Sequence, residues 1–221
     1  MLVKKCINSI RAFKPQGYEV QVVDFENLLE WVGFPDFILK KHEKGIIPEA
    51  HFSDLVRSCL LYFYGGIWMD ATCFMTSPFP SRLISQPFFM FQTDLFLNPI
   101  PMKSSNWFII SEEKNLVLKY MIHMLVDYWG HHNNLKNYFL YHIFIKALSD
   151  NDKYTENIFN EMPYFSNQAP HLMLFSLPKK YSEEMMIHLK STSFVHKLTY
   201  KFEKEILQDK NSLLYHILFN D

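Results

Sequence analysis

An α/β fold is predicted by two helix-then-strand blocks and by the apolar material that surrounds them. Residues 2–13 set Leu2, Cys6, Ile10 and Phe13 on one stripe of a short helix. After a turn at 14–17, residues 18–24 alternate like a strand with an acidic tip. Pro48 then opens a strong helix running to Tyr64, Gly65-Gly66 stops it, and residues 67–74 read as the next strand, cut by Ser77-Pro78. Helix and strand alternating along the chain is the pattern of α/β domains. Of the 221 residues 48% are hydrophobic and 17% aromatic, enough for a core and too many for a disordered chain.

The remaining elements follow in order. Residues 26–41 have helical spacing interrupted by Gly33 and Pro35. Residues 88–94 and 106–110 are further strand candidates, and the phenylalanines at 88, 89, 91 and 96 read as core. Residues 115–129 and 138–148 have helical spacing and little Gly or Pro, 193–196 is strand-like, and a last helix is expected from about Phe202 to Phe219. No internal repeat, low-complexity tract or Gly/Ser linker interrupts the chain, so one domain over 1–221 is expected.

Composition excludes several function classes. A net charge of −1 gives no electrostatic ground for nucleic-acid binding. The three cysteines are widely spaced and form no CxxC pair, so neither a zinc knuckle nor a disulfide framework is signalled; buried, reduced thiols are expected. No apolar run approaches the ~18 residues of a membrane span, and the N-terminus lacks an apolar leader core. The chain is therefore expected to be soluble and cytoplasmic, with at most a peripheral contact at the inner face of a membrane. Phosphate loops of the Walker and Rossmann types and a GxSxG elbow are all missing. His131-His132, followed by Asn133-Asn134, reads as a solvated loop after a helix rather than a ligand pair.

Chemistry concentrates between His51 and Thr72. Asp54 and Arg57, three residues apart, share one helix face, while Leu55, Val56, Cys59, Leu60 and Phe63 supply an apolar one. Continuous strand alternation would turn Trp68, Asp70 and Thr72 the same way. A carboxylate inside an apolar strand costs free energy unless something pairs with it, and a strand end is where open α/β folds meet ligands. An intrahelical ion pair and a turn cap would each explain one acid; the conjunction of all three charged residues with Gly65-Gly66 favours a binding site.

The block from His51-Phe-Ser-Asp-x-x-Arg57 through Tyr64-Gly-Gly-Ile-Trp-Met-Asp-Ala-Thr72 resembles the signature of the DXD-containing sugar transferases. More closely, it resembles the capsular polysaccharide synthesis branch of glycosyltransferase family 32. Residues 106–110, 138–142 and 195–201 are similar to further blocks of that branch. The resemblance implies a GT-A-like nucleotide-diphospho-sugar transferase fold in a bacterial protein. It also implies retaining transfer of a hexose from a nucleoside-diphosphate sugar, a UDP-sugar favoured, to a growing surface or capsular glycan, with a lipid-linked glycan as acceptor. By that analogy Ser53, Asp54, Arg57, Gly66, Asp70 and Lys197 bind the donor. Asp70, Thr72 and His196 would hold a divalent cation, Mn or Mg. Asn106, Trp107 and His142 would line the acceptor side, although Trp107 suits a buried core position equally well. No catalytic base or nucleophile stands out.

Two departures from the family pattern matter. Thr72 replaces the second DXD acid, so Asp70 and Thr72 alone would hold a hard cation weakly; either His196 and the diphosphate complete the site, or metal dependence is weak. The chain also begins at the helix that should follow the family's first strand, so a GT-A fold lacking that strand is expected. Both departures keep open a catalytically degenerate, transferase-like binding protein of a polysaccharide assembly complex. The last helix carries Lys201, Lys204 and Lys210 beside Ile206, Leu207, Leu213 and Leu214, a pattern that fits core packing or a membrane-surface contact.

Overall fold

The computed structural model describes residues 1–93, 103–202 and 204–219. In chain order it holds α1 (Leu2–Phe13), α2 (Leu28–Trp31), α3 (Asp36–Glu43), α4 (Glu49–Tyr64), β1 (Gly66–Met69), β2 (Cys73–Met75) and α5 (Ser81–Ile84). There follow β3 (Phe88–Gln92), β4 (Ser104–Ser111), α6 (Leu116–His131), α7 (Leu140–Asn151) and α8 (Lys153–Glu161). A 3-10 turn at Ala169–His171 leads to α9 (Leu172–Ser176), α10 (Glu183–Thr192), β5 (Val195–Lys197), α11 (Lys204–Gln208) and α12 (Leu213–Phe219). The result is a mixed α/β protein with small antiparallel sheets. Its residues gather into two compact units, each assembled from separated stretches of chain.

The unit formed by Val22–Trp68 and Ser85–Phe165 is built on a three-stranded sheet of order β1-β4-β3. β3 and β4 are antiparallel, with Phe88 opposite Ser111 and a register slip between Met90 and Gln92. Phe88, Phe89, Met90 and Phe91 are all buried, so this strand faces apolar neighbours on both sides. β4 packs against α4 and α7, and α4 against α6. Pro48 caps the start of α4 in an extended conformation, and Gly65 ends it at φ 63°, a backbone that only glycine adopts without strain. A Cβ at Gly65 would also stand 2.8 Å from the backbone nitrogen of Glu113, so the helix end and the chain after β4 touch through the missing side chain. Asn115 caps α6 by accepting a hydrogen bond from the Val117 amide at 3.0 Å.

The second unit comprises Met1–Gln21, Met69–Ile84 and Ser166–Asp221. Its two-stranded sheet pairs β2 and β5 antiparallel, with Cys73 opposite Lys197 and Phe74 opposite His196. α1 lies on β2, where Ser9 Oγ accepts from the Met75 amide at 2.9 Å and donates to the Cys6 carbonyl at 2.7 Å. Leu2, Cys6, Met173, Leu177, Met186, Leu189, Leu198 and four apolar residues of α12 close a single core. Cys6, Cys59 and Cys73 are all buried, as expected of them.

Three expectations need correction. Residues 18–24 form no strand: none of them is buried, and Asp24 instead turns the chain by accepting from the Glu26 and Asn27 amides. Alternation without a buried face gives a ladder nothing to pack on. The strand expected over 67–74 is two strands, because the Cys73 amide bonds back to the Asp70 carbonyl at 2.9 Å and closes a turn at 70–73. Asp is favoured at the first position of such a turn and disfavoured in strands. The last helix is broken at 209–212, where Asp209 and Ser212 cap the flanking turns. Leu213 and Leu214 are fully buried in the core, the packing reading of this segment. Residue 94 of the expected third strand and Phe96 lie outside the described residues.

Candidate functional site

Within the first unit, α4 and β4 meet through a buried polar clamp. Asp54 and Arg57 are 4% and 5% exposed. Asn106 Nδ2 donates to Asp54 Oδ1 at 2.7 Å, and the Asn106 carbonyl accepts from Arg57 Nη1. Arg57 Nε lies 3.5 Å from that same Asp54 oxygen and donates to the Ser53 carbonyl at 3.1 Å; its Nη2 donates to Ser53 Oγ at 3.0 Å. The guanidinium sits 5.2 Å from the ring centroid of Trp68. One face of α4 is thus tied to one strand residue by both its charges, and the indole lies within cation–π range.

Two histidines stand beside this clamp. His51 is 2% exposed, with Nδ1 3.6 Å from Asp54 Oδ2, too long for a hydrogen bond. Burial, and then the charge of Arg57, lowers its pKa, so this contact is between a neutral ring and a carboxylate rather than an ion pair. His142 on α7 is pushed down to about 4, chiefly by burial and then by Arg57 and His51. Among the described residues both nitrogens of His51 and Nδ1 of His142 have no hydrogen-bond partner. Neutral imidazoles each offer one donor and one acceptor, and buried polar atoms in native proteins are seldom left unmatched.

The second unit holds the other cluster. The turn at 70–73 brings Asp70 and Thr72 together, and β5 delivers Lys197 to both. Its Nζ donates to Asp70 Oδ2 at 2.8 Å and to Thr72 Oγ1 at 2.7 Å. The Leu198 amide fixes this register by bonding to the Thr72 carbonyl at 2.9 Å. The side chains of Asp70 and Lys197 are 24% and 21% exposed, so the ion pair is reachable from solvent.

His196 does not join them. Neighbouring strand residues point to opposite faces, and while Lys197 reaches the turn, His196 is 0% exposed with Nε2 3.2 Å from Thr76 Oγ1. Burial pushes its pKa down to about 4. What remains suits a divalent cation poorly: the turn offers one carboxylate and one hydroxyl, and a lysine ammonium already bridges them. No group of three or more His, Cys, Asp or Glu gathers in metal-binding geometry among the described residues.

The structure therefore brings Ser53, Asp54, Arg57 and Asn106 into one network with His142 near it, and Asp70, Thr72 and Lys197 into another. Gly66 lies beyond α4 at φ 98°, with open space where a Cβ would be. Trp107 is 5% exposed and stacked on Phe91, with centroids 4.8 Å apart, a core position. Sequence reasoning did not single out Trp68 as a partner of Arg57. The pairing depends on how β1 follows α4, which spacing alone does not encode. His51 stood at the edge of the quoted block, and its missing partners are visible only in three dimensions.

No helix among the described residues is long and apolar enough to cross a membrane. No curated protein and no solved structure significantly matches the chain. A family described as capsular polysaccharide synthesis protein matches residues 1–217. With nearly its whole length accounted for in this way, the chain belongs to the capsular polysaccharide synthesis protein family.

Proposed function

We propose that the chain is a retaining glycosyltransferase of GT-A type. It moves a hexose from a nucleoside-diphosphate sugar, a UDP-sugar in the favoured case, onto a growing capsular glycan carried on a lipid-linked acceptor. The observation that carries this reading is the solvent-reachable Asp70–Lys197–Thr72 cluster in a member of a capsule-synthesis family. When the bond between the anomeric carbon and the diphosphate breaks, the electron pair leaves with the phosphate oxygen, and a fixed positive charge there lowers the barrier. Lys197 supplies that charge. The acceptor hydroxyl oxygen bonds to the anomeric carbon on the same face and gives its proton to the departing phosphate oxygen, so no protein base is required. The reaction places the chain at the cytoplasmic face, where nucleotide sugars and lipid-linked glycans meet.

The test is transfer of labelled hexose from a panel of nucleotide sugars to lipid-linked glycan. Asp70→Ala should abolish transfer while leaving the unfolding transition in place; undiminished transfer by that variant overturns the assignment. A second reading is favoured by the depth of Asp54 and Arg57, whose bonds run to protein partners. It holds the chain to be a transferase-like binding protein, and saturable nucleotide-sugar binding without turnover would select it.

A further inference from the structure

The positive charge at the turn belongs to the chain itself. An ammonium has three N–H donors. Lys197 spends one on Asp70 and one on Thr72, and the third has no partner among the described residues. Asp70 and Thr72 hold the nitrogen from two sides, so its position is set before any ligand arrives. A divalent ion entering between the same two oxygens would have to displace the ammonium or stand beside it against Coulomb repulsion. His196, the remaining candidate ligand, is buried on the opposite face of β5 and bonded to Thr76.

We propose that Lys197 takes the place of a divalent cation on the donor's diphosphate: its third N–H binds a phosphate oxygen, and the chain binds nucleoside diphosphates without metal. The assignment rests on the donor-site reading above and extends it to the identity of the cation. Asp70 becomes a positioning residue that holds the ammonium in place, and Thr72 is the correct second residue, since a second carboxylate would compete with the phosphate for the same ammonium. A serine or threonine hydroxyl aims the ammonium without adding a negative charge next to the diphosphate.

Titration calorimetry of the full chain with UDP and with GDP, in EDTA and in Mn²⁺, tests this. The wild type should bind one of the two with a dissociation constant equal in both media to within about twofold, and Lys197→Met should weaken it in EDTA by about tenfold or more. Electron paramagnetic resonance of Mn²⁺ titrated with the wild type should show no bound ion. In Lys197→Met the freed oxygens of Asp70 and Thr72 should admit Mn²⁺ and recover part of the nucleotide affinity. Wild-type binding that disappears in EDTA and returns with Mn²⁺ overturns the inference and leaves the donor site standing; so does full affinity of Lys197→Met in EDTA. Absence of binding to either nucleotide in both media overturns the inference and the donor reading together. The wild-type arms need no variant to fold.

Discussion

Removing the carboxylate of Asp54 should destabilise its unit far more than an exposed ion pair would. Asp54→Ala deletes the acceptor of the 2.7 Å bond from Asn106 and the buried carboxylate 3.5 Å from Arg57 Nε. Breaking one side of a buried pair costs about 3–5 kcal/mol, against at most about 1 kcal/mol at a surface. Arg57 retains the carbonyls of Ser53 and Asn106, which puts the expectation near the lower end, about 3 kcal/mol. The four tryptophans, Trp31, Trp68, Trp107 and Trp129, all fall in the unit that holds Asp54, so intrinsic fluorescence reports its unfolding selectively. With a urea slope of about 2 kcal/mol per molar, the midpoint should drop by about 1.5 M. Adding Arg57→Met to Asp54→Ala should regain part of that loss, because the desolvated charge that Asp54 helped to balance is gone. A midpoint shift below about 0.5 M, or a double variant no better than the single one, would refute the view that charge pairing in the clamp holds α4 on β4.

Other outcomes follow from the same coordinates. His196 has a folded pKa near 4 against an ordinary 6.5, so below 6.5 the unfolded chain takes up a proton that the folded chain refuses. Its contribution is intact above pH 6.5 and is lost as pH falls toward 4, by about 3 kcal/mol. Replacing it with Gln should flatten that part of the pH profile followed by circular dichroism. Gly65→Ala should cost more than about 1 kcal/mol in the fluorescence transition, since both the positive φ and the 2.8 Å approach to Glu113 oppose a methyl group. Burial pushes the thiols of Cys6 and Cys59 up to about 12, and that of Cys73 upward as well. Alkylation near neutral pH should therefore run at least about a hundredfold slower in the native chain than in urea.

The sequence was most legible where a boundary has a chemical marker. Pro48 and Gly65 frame α4 to within a residue, and Asn115 marks the start of α6. Two equally legible starts were passed over: Asp152 and Ser182 accept from the Thr155 and Met185 amides and open α8 and α10. Periodicity failed where it had no burial behind it, at 18–24, and where one residue could serve two structures, at Asp70. Asp54 and Arg57 share a face because three residues make nearly one helical turn, which spacing shows directly. Their strand partner Asn106 and the reach of Lys197 to Asp70, across 127 positions, come from tertiary packing that no local pattern records. His196 and Lys197, adjacent in sequence and expected to act together, are divided by the pleat of a three-residue strand.

The discontinuity of the two units bears on how the chain leaves the ribosome. The chain passes from one unit to the other four times, at 21/22, 68/69, 84/85 and 165/166. Everything needed for the tryptophan-bearing unit has been synthesised by residue 165, whereas the other still lacks 166–221. Leu2 and Cys6 share their core with Leu213, Leu214, Ile217 and Leu218, more than 200 positions later in the chain. At 5–20 residues per second, the stripe of α1 waits roughly 10–40 s for its partners. A ribosome that stalls near residue 165 would release one unit with all its parts beside an adhesive, unfinished one, and degradation would be expected to start from the second.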